Sequence, residues 1–321
     1  MGLVFASIAP HGSIAIAEWC APEKRSLAAK TRGAFEELGR RFDAAKPDVT
    51  VLITPHHVHL EGHMAVVTSG AMSGALEGGA ARVELKANVD RELANAVKAA
   101  ISEAGVPVIG VSYGANDPAG SVMPMDWATQ IPIHFMGRDR VPIVMAAPAR
   151  DLPWKMHVDA GRAIASAATA SGKRVALIAS CDHGHAHDPK GPYGFSPASK
   201  QFDDRTVELI KRNALGELLG FDPAFVADAK ADSFWQMLML HGAIGDQGIG
   251  GSAAQRAWRA EFLSYEAPTY FGMLCAAFTH RTNAASGVLL DDVVGRRSFE
   301  DVARVIALLA HALDGHDRAA V

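Results

Sequence analysis

Short apolar runs typical of β-strands alternate with longer amphipathic stretches along most of this chain. The strand-like runs cover residues 3–9, 49–54, 108–113, 142–146 and 174–180. The helical stretches lie near residues 22–44, 90–104, 153–170 and 197–213. This alternation predicts βαβ units, and hence an α/β fold with a mostly parallel central sheet flanked by helices. Right-handed crossovers would bring the carboxyl ends of the strands to one rim of the sheet.

After residue 214 the pattern changes to shorter segments. Their apolar spacing predicts short helices at residues 215–219, 223–229 and 233–241, a glycine-rich loop at 242–252, a late strand at 271–279 and a closing helix at 299–312. No repeat or Pro/Ser-rich linker marks a boundary, so we expect a single domain over residues 1–321.

The composition narrows the class of protein. The chain has 321 residues, of which 49% are hydrophobic, and a formal net charge of -4, so it can bury a large core but has no basic footprint for nucleic acid or a membrane surface. Three dispersed cysteines without a CxxC pair predict neither a disulfide framework nor a thiolate zinc site. The chain shows no signal-peptide pattern and no apolar run long enough to span a bilayer, so we expect a cytoplasmic protein.

Histidines cluster where strand-like runs end. Eight of the 14 histidines lie in three short windows, namely His11, then His56, His57, His59 and His63, then His183, His185 and His187. Ligands of open α/β sheets bind beyond the carboxyl ends of the strands, so the three windows could meet at one site. Such a site would serve metal binding or acid–base chemistry.

The donor types favour a metal centre. Two imidazoles and one carboxylate with open positions form the facial triad of non-haem Fe(II) oxygenases. The candidates for the carboxylate are Asp182, Glu61 and Glu266. Zinc accepts the same donors, so the residues alone leave iron and zinc both open.

Several of these segments resemble the LigB-type class III extradiol dioxygenase superfamily, which includes ring-opening enzymes and AmmeMemoRadiSam-associated and Memo-like proteins. The matching segments are Ala-Pro-His-Gly at 9–12, Thr-Pro-His-His at 54–57, Ala-Ser-Cys-Asp-His-Gly-His at 179–185, Tyr-Gly-Phe-Ser-Pro at 193–197 and Ser-Tyr-Glu-Ala-Pro at 264–268. The order and spacing of these segments, which extend over most of the chain, carry the resemblance.

The resemblance implies roles for particular residues. His11, His56 and Glu266 would hold Fe(II), with His57 as the alternative second ligand. His185 would be the catalytic acid–base residue, with Asp182 as the partner that orients it.

Three residues depart from the family's pattern. His183 and His187 flank His185 without counterparts, and they could be hydrogen-bond partners, surface residues or substrate contacts. Trp127 stands where many ring-cleaving relatives have a histidine. It could stack on an aromatic ring or pack in the core.

The resemblance therefore implies an Fe(II)-dependent dioxygenase that inserts both atoms of O2 to open a catechol- or aminophenol-like ring. Its partners would be a small aromatic substrate and O2, and the protein would be a homo-oligomer. One alternative is a Memo-like metal-binding accessory protein without turnover. Another is a zinc hydrolase in which the same open site activates water.

Overall fold

The computed structural model describes residues 1–245 and 258–280, which form eleven strands and seven α-helices. The strands are β1 (Gly2–Ala9), β2 (Val49–Ile53), β3 (Met64–Val67), β4 (Ala71–Leu76), β5 (Val83–Asn88), β6 (Val108–Val111), β7 (Val122–Pro124), β8 (Ile143–Ala147), β9 (Arg174–Ser180), β10 (Trp258–Glu266) and β11 (Met273–His280). The α-helices are α1 (Ala29–Ala45), α2 (Arg91–Glu103), α3 (Trp127–Phe135), α4 (Trp154–Ala170), α5 (Pro197–Arg212), α6 (Pro223–Asp228) and α7 (Phe234–Ile244). Short 3-10 helices span Ser13–Ala15, Pro22–Lys24, Pro118–Gly120 and Leu215–Gly220.

The described strands form one large sheet and one small sheet. The large sheet has eight strands in the order β10-β11-β1-β9-β2-β8-β3-β6, and the small sheet has the order β5-β4-β7. The central pairs β1/β9, β9/β2 and β2/β8 are parallel, whereas β1/β11 and β3/β8 are antiparallel. The predicted α/β class with a mostly parallel sheet is therefore confirmed.

The central strands are covered on both faces. Every residue of β2 and β8 is buried, which explains why these strands read as continuous apolar runs rather than as alternating patterns. Among the helices, α1 and α4 contact β1, α2 contacts β3 and β6, and α4 packs along α7. This layering fixes the strand ends rigidly, so that residues immediately after them are well positioned.

One helix starts later than predicted, and another helix was not predicted. The helix predicted at 22–44 begins only at Ala29, because Pro22 starts a separate 3-10 turn and Ala28 adopts a left-handed backbone with φ of 55°. Helix α3 was not predicted, since Pro132 lies inside it and proline usually ends a helix.

Two predictions concern the late part of the chain, namely the loop at 242–252 and the helix at 299–312. The predicted loop at 242–252 begins later than expected, because Gly242 and its next two neighbours belong to α7. The rest of that loop from residue 246, and the helix predicted at 299–312, lie outside the described residues. Backbone contacts divide the chain into units Met1–Thr279 and His280–Val321. The single domain over residues 1–321 stays a prediction.

Candidate metal centre

The residues that follow four neighbouring strands share one rim of the large sheet. His11 follows β1, His56 follows β2, Arg150 follows β8 and Asp182 follows β9. The pairs among these strands are parallel, so their carboxyl ends point the same way. The predicted site at the carboxyl rim therefore has a physical basis in the topology.

Three side chains converge at this rim. His11 Nε2 lies 3.2 Å from Asp232 Oδ2, and His56 Nε2 lies 3.1 Å from the same oxygen. The two imidazole rings are 4.9 Å apart between centroids and nearly perpendicular. Within the described residues these atoms form a cluster, all within 4.8 Å of one another, that could hold a metal ion.

Hydrogen bonds fix the orientation of His11. Its Nδ1 lies 3.0 Å from the Ser180 hydroxyl, and that hydroxyl donates to the Ala128 carbonyl at 2.6 Å. Because the single hydroxyl proton is committed to Ala128, Ser180 accepts a hydrogen bond from the Nδ1–H of His11. Nε2 of His11 then faces Asp232 and is the ring nitrogen that would bind a metal ion.

Asp232 is a buried carboxylate just before α7. Burial opposes its ionisation, but the imidazoles of His11 and His56 outweigh burial and hold the pKa of Asp232 well below its ordinary value. The Asp232 carbonyl accepts a hydrogen bond of 2.9 Å from Gln236 Nε2, which also donates to the Ser180 carbonyl at 3.0 Å. Gln236 thus ties the start of α7 to the end of β9.

The structure distinguishes His56 from its neighbour. His56 faces Asp232, whereas His57 Nε2 contacts the Pro124 carbonyl at 3.0 Å, away from the cluster. Trp127 is 47% exposed, so it does not pack in the core, and its ring stacks on His56 with centroids 4.5 Å apart. Of the two alternatives for the second ligand, the geometry favours His56.

His185 lies at the edge of the same site. Its Nδ1 donates to the His183 carbonyl at 2.6 Å, because a carbonyl can only accept, and Nε2 of a neutral ring is then free to accept a proton. The imidazole stacks on Phe271 with centroids 5.4 Å apart and meets Tyr193 edge-on at 5.9 Å.

Asp182 does not orient His185, contrary to expectation. Its Oδ1 accepts a hydrogen bond of 2.9 Å from the backbone N–H of His11, and its Oδ2 lies 3.5 Å from His11 Nε2. Since Asp182 directly follows β9, beside β1, its side chain reaches the neighbouring strand end rather than the outer loop. The His183 carbonyl takes the orienting role.

The two flanking histidines have separate environments. His183 is fully buried, and burial lowers its pKa, so the ring stays neutral near pH 7. His187 Nε2 bonds to Asp203 Oδ2 at 2.8 Å, and the same oxygen accepts from the Tyr265 hydroxyl at 2.7 Å. Asp203 Oδ1 also accepts from the Gly184 N–H at 2.8 Å, so this buried carboxylate braces the loop that carries His185.

Glu266 is not brought to the cluster, and the expected His-His-Glu set is corrected to His-His-Asp. Its Oε1 accepts hydrogen bonds from the Thr31 N–H at 2.7 Å and the Thr31 hydroxyl at 2.8 Å, in the first turn of α1. The amide groups of a first helical turn lack partners within the helix, and an acidic side chain satisfies one of them. Glu61, the other sequence candidate, is exposed.

Two residues at this site, Asp232 and Arg150, have only a weak signal in the sequence. Asp232 precedes an apolar helical run together with a serine, and acidic residues are common at helix starts for reasons unrelated to metals. Arg150 was one of many scattered basic residues. The only available signal was the position of Arg150 shortly after a strand end, as for the histidines.

A cavity of about 260 Å³ opens beside the cluster. Its lining includes His56, Arg150, His185, Tyr193, Asp232 and Trp235. The aromatic side chains can face a planar ring, and the imidazoles and charged groups can bind its polar substituents. The cavity therefore joins the candidate ligand cluster to the candidate proton-transfer residue.

The donors fit a divalent metal ion. His11 Nε2 and Asp232 Oδ2 are buried without a hydrogen-bond partner among the described residues, which is costly unless something else satisfies them. Two imidazole nitrogens and one carboxylate oxygen are the donors that non-haem iron and catalytic zinc sites use. The identity of the metal is open on this geometry.

Fold and site together define an α/β protein with a histidine–carboxylate centre at the carboxyl rim of a mostly parallel sheet. The chain belongs to the LigB family: the model of the catalytic LigB subunit of aromatic ring-opening dioxygenase matches residues 5–274. The expected family membership is thus confirmed.

Two curated relatives are distant. Protein CA_C1420 of Clostridium acetobutylicum is 20% identical over 285 residues, covering 85% of this chain and 58% of the relative, so the chain spans little more than half of that protein. The 2-aminophenol 1,6-dioxygenase beta subunit of a Pseudomonas species is 24% identical over 221 residues, covering 63% of this chain and 70% of the relative.

One solved structure supports the fold. The crystal structure of uncharacterized protein JW3007 from Escherichia coli K12 matches with a TM-score of 0.54 at 15% identity, covering 85% of this chain and 99% of that one. Within the helices that the structure describes, none is long and apolar enough to cross a membrane.

Proposed function

We propose that this protein is an extradiol dioxygenase that uses Fe(II), held by His11, His56 and Asp232, to open a catechol- or aminophenol-like aromatic ring. The observation that carries the proposal is the convergence of two imidazole nitrogens and Asp232 Oδ2 beside a cavity that also contains His185. Three protein ligands would leave positions for both substrates, which is what ring opening by O2 needs.

Each partner has a distinct task in this proposal. Fe(II), when bound, supplies the electron transfer between the aromatic substrate and O2. His185 takes a proton from a substrate hydroxyl at its free Nε2 and later returns it to a product oxygen. A neutral imidazole suits both steps because its ordinary pKa, about 6.5, lies near neutrality.

The charge of the cavity supports an ionised aromatic substrate. Lys230 lines it without an ion-pair partner among the residues that the structure describes, whereas Arg150 pairs with Asp232. Positive charge stabilises the oxyanion that remains when His185 has removed a proton. Tyr193 and Trp235 provide aromatic surfaces against which the ring can lie.

The family and the named relatives support the same reaction class. The matched model describes an aromatic ring-opening dioxygenase subunit, and one relative is named as the beta subunit of a 2-aminophenol dioxygenase. The beta-subunit name is also compatible with the homo-oligomer expected from the sequence, although a complex with another chain would be an equally simple assembly. Both assemblies are proposals for this chain.

The test is a metal and oxygen assay on the whole chain. The protein is purified anaerobically, its metals are measured, and it is reconstituted with Fe(II) or Zn(II) before O2 uptake is recorded with catechol, 3,4-dihydroxybenzoate and 2-aminophenol. We expect O2 uptake with Fe(II), accompanied by a new ring-fission absorbance.

Other outcomes would replace this proposal. Tight zinc binding without O2 uptake, but with ester or amide hydrolysis, would favour a hydrolase. Metal binding without any turnover would favour an accessory protein. Asp139, an exposed aspartate, provides the matched control for Asp232: Asp139→Ala should retain full metal content, and Asp232→Ala should not.

A further inference from the structure

Arg150 contacts the candidate metal ligand Asp232 from the side opposite the histidines. It lies three residues after β8, and its Nη2 forms an ion pair with Asp232 Oδ1. The Asp232 side chain is 7% exposed and that of Arg150 is 40% exposed, so a buried carboxylate is paired with a cation that reaches the cavity. Ion pairs on the open surface contribute little, but this one satisfies a buried charge.

Arg150 is itself held by a second contact. Its guanidinium carbon lies 4.8 Å from the centroid of the Trp235 ring, which is a cation–π arrangement. Trp235 belongs to α7, which starts directly after the Asp232-Ser233 pair. The guanidinium is thus fixed by the ring and by the carboxylate at once, and both partners belong to the same end of α7.

The two oxygens of Asp232 consequently have different environments. Oδ1 is taken by Arg150, whereas Oδ2 faces the Nε2 atoms of His11 and His56 and has no hydrogen bond among the described residues. Without Arg150 the carboxylate could rotate and offer either oxygen, or both, to an ion held by the histidines. With Arg150 in place only Oδ2 is available.

We propose that Arg150 is a positioning residue that would hold Asp232 as a single-oxygen ligand, through Oδ2, of the metal ion bound by the two histidines. The inference rests on the proposed metal-binding function. It assigns to Arg150 an effect on metal binding itself, separate from any contact with substrate. Partners that orient a metal ligand typically account for about 10- to 100-fold in metal affinity.

Whether metal affinity rises or falls when Arg150 is replaced distinguishes positioning of Asp232 from simple charge repulsion. Removing a positive charge beside a divalent ion should tighten binding if only Coulomb repulsion matters. Loss of positioning should weaken it. Arg150→Met removes the charge while keeping an unbranched chain, and Arg150→Lys keeps the charge but loses the planar group that rests on Trp235.

The experiment measures Zn(II) and Co(II) affinity of the whole chain by competition with a chromogenic chelator, together with the visible spectrum of the Co(II) form. Arg140→Met is the matched control, because Arg140 is exposed and pairs with the surface residue Asp43. We expect affinity about 10- to 100-fold weaker in Arg150→Met, a smaller loss in Arg150→Lys, a changed Co(II) spectrum in both and no change in Arg140→Met.

The results distinguish failure of the positioning role of Arg150 from failure of the proposed function. If Arg150→Met binds either ion as tightly as the wild type or more tightly, the positioning role is refuted, even if its melting temperature falls. If the wild type binds neither ion, the proposed function fails as well. Should Arg150→Met not fold, Arg150→Lys and Trp235→Phe still decide, because each leaves the ion-pair charge intact and should weaken affinity.

Discussion

The sequence and the geometry assign the metal carboxylate to different residues, and paired substitutions distinguish them. Asp232→Ala removes the oxygen that faces both histidines, and Glu266→Ala removes the acceptor of the two Thr31 hydrogen bonds. We expect Asp232→Ala to lose metal with the histidines still in place. We expect Glu266→Ala to bind metal normally and to be less stable.

The magnitudes follow from the contacts. An outer partner of a metal ligand is worth about 10- to 100-fold in affinity, so loss of a direct ligand at Asp232 should cost more than about 100-fold. Glu266 accepts two hydrogen bonds in a half-buried position, and bonds to charged groups contribute about 1.5–3 kcal/mol. A loss of about 2 kcal/mol should lower the melting temperature by about 3 °C, because an unfolding entropy of about 2.1 cal/mol/K per residue gives about 0.67 kcal/mol/K for 321 residues.

Metal affinity by chelator competition and unfolding by calorimetry, both on the same preparations, measure these two effects. Glu266→Gln serves as a control, because it keeps an acceptor of the same shape and should recover part of the stability. Weak metal binding by Glu266→Ala at full stability would refute the reasoning. So would unchanged metal binding by Asp232→Ala.

Three further substitutions test other parts of the structure. His185→Gln should keep its metal but lower turnover by about 10²- to 10⁴-fold, with exposed His59→Gln as the control; equal turnover in both would rule out a proton-transfer role. Burial lowers the pKa of His157 to about 4, below the value near 6.5 expected when unfolded. The unfolded chain binds a proton at this histidine at higher pH than the folded chain does, so the free energy of unfolding falls as the pH drops from about 6.5 to about 4. His157→Leu should remove up to about 3 kcal/mol of that loss, measured by urea titrations at several pH values. Gly272→Ala would place a methyl group 2.0 Å from Asp203 Oδ2, and we expect it to destabilise the fold by about 1–3 kcal/mol or more and to disturb turnover; wild-type stability would show that the loop can move aside.

The sheet was predictable because its central strands have a local signature. The runs at 49–54 and 142–146 are continuously apolar, and the strands that they form are buried on both faces. Parallel strands have their carboxyl ends at one rim, so the sequence could place His11 and His56 at the same rim. The sequence did not predict β3, β4, β5, β7 and β10, none of which has a continuous apolar run as long as those at 49–54 and 142–146.

The carboxylate was not predictable by the same reasoning. Asp232 reaches the site from the connection between α6 and α7, and its position depends on how α7 docks along α4 and on the Gln236 bridge to Ser180. These are contacts between distant parts of the chain. Glu266, in contrast, was implied as a ligand by the resemblance of Ser-Tyr-Glu-Ala-Pro at 264–268 to the family, and only the neighbouring start of α1 reveals its capping role.

The three histidines of the third window have three different environments. His183, His185 and His187 alternate in sequence, which in a regular strand would place them on the same face. The segment is not a strand: its amides bond in turn to Gly272, Asp203, Ala229 and the Ser199 hydroxyl, partners on several different elements. Gly184 permits the close approach, because a Cβ there would lie 2.7 Å from the Ser199 backbone. One imidazole is therefore buried, one reaches the cavity and one binds Asp203, so the count of histidines in a window does not equal the count of residues available for chemistry.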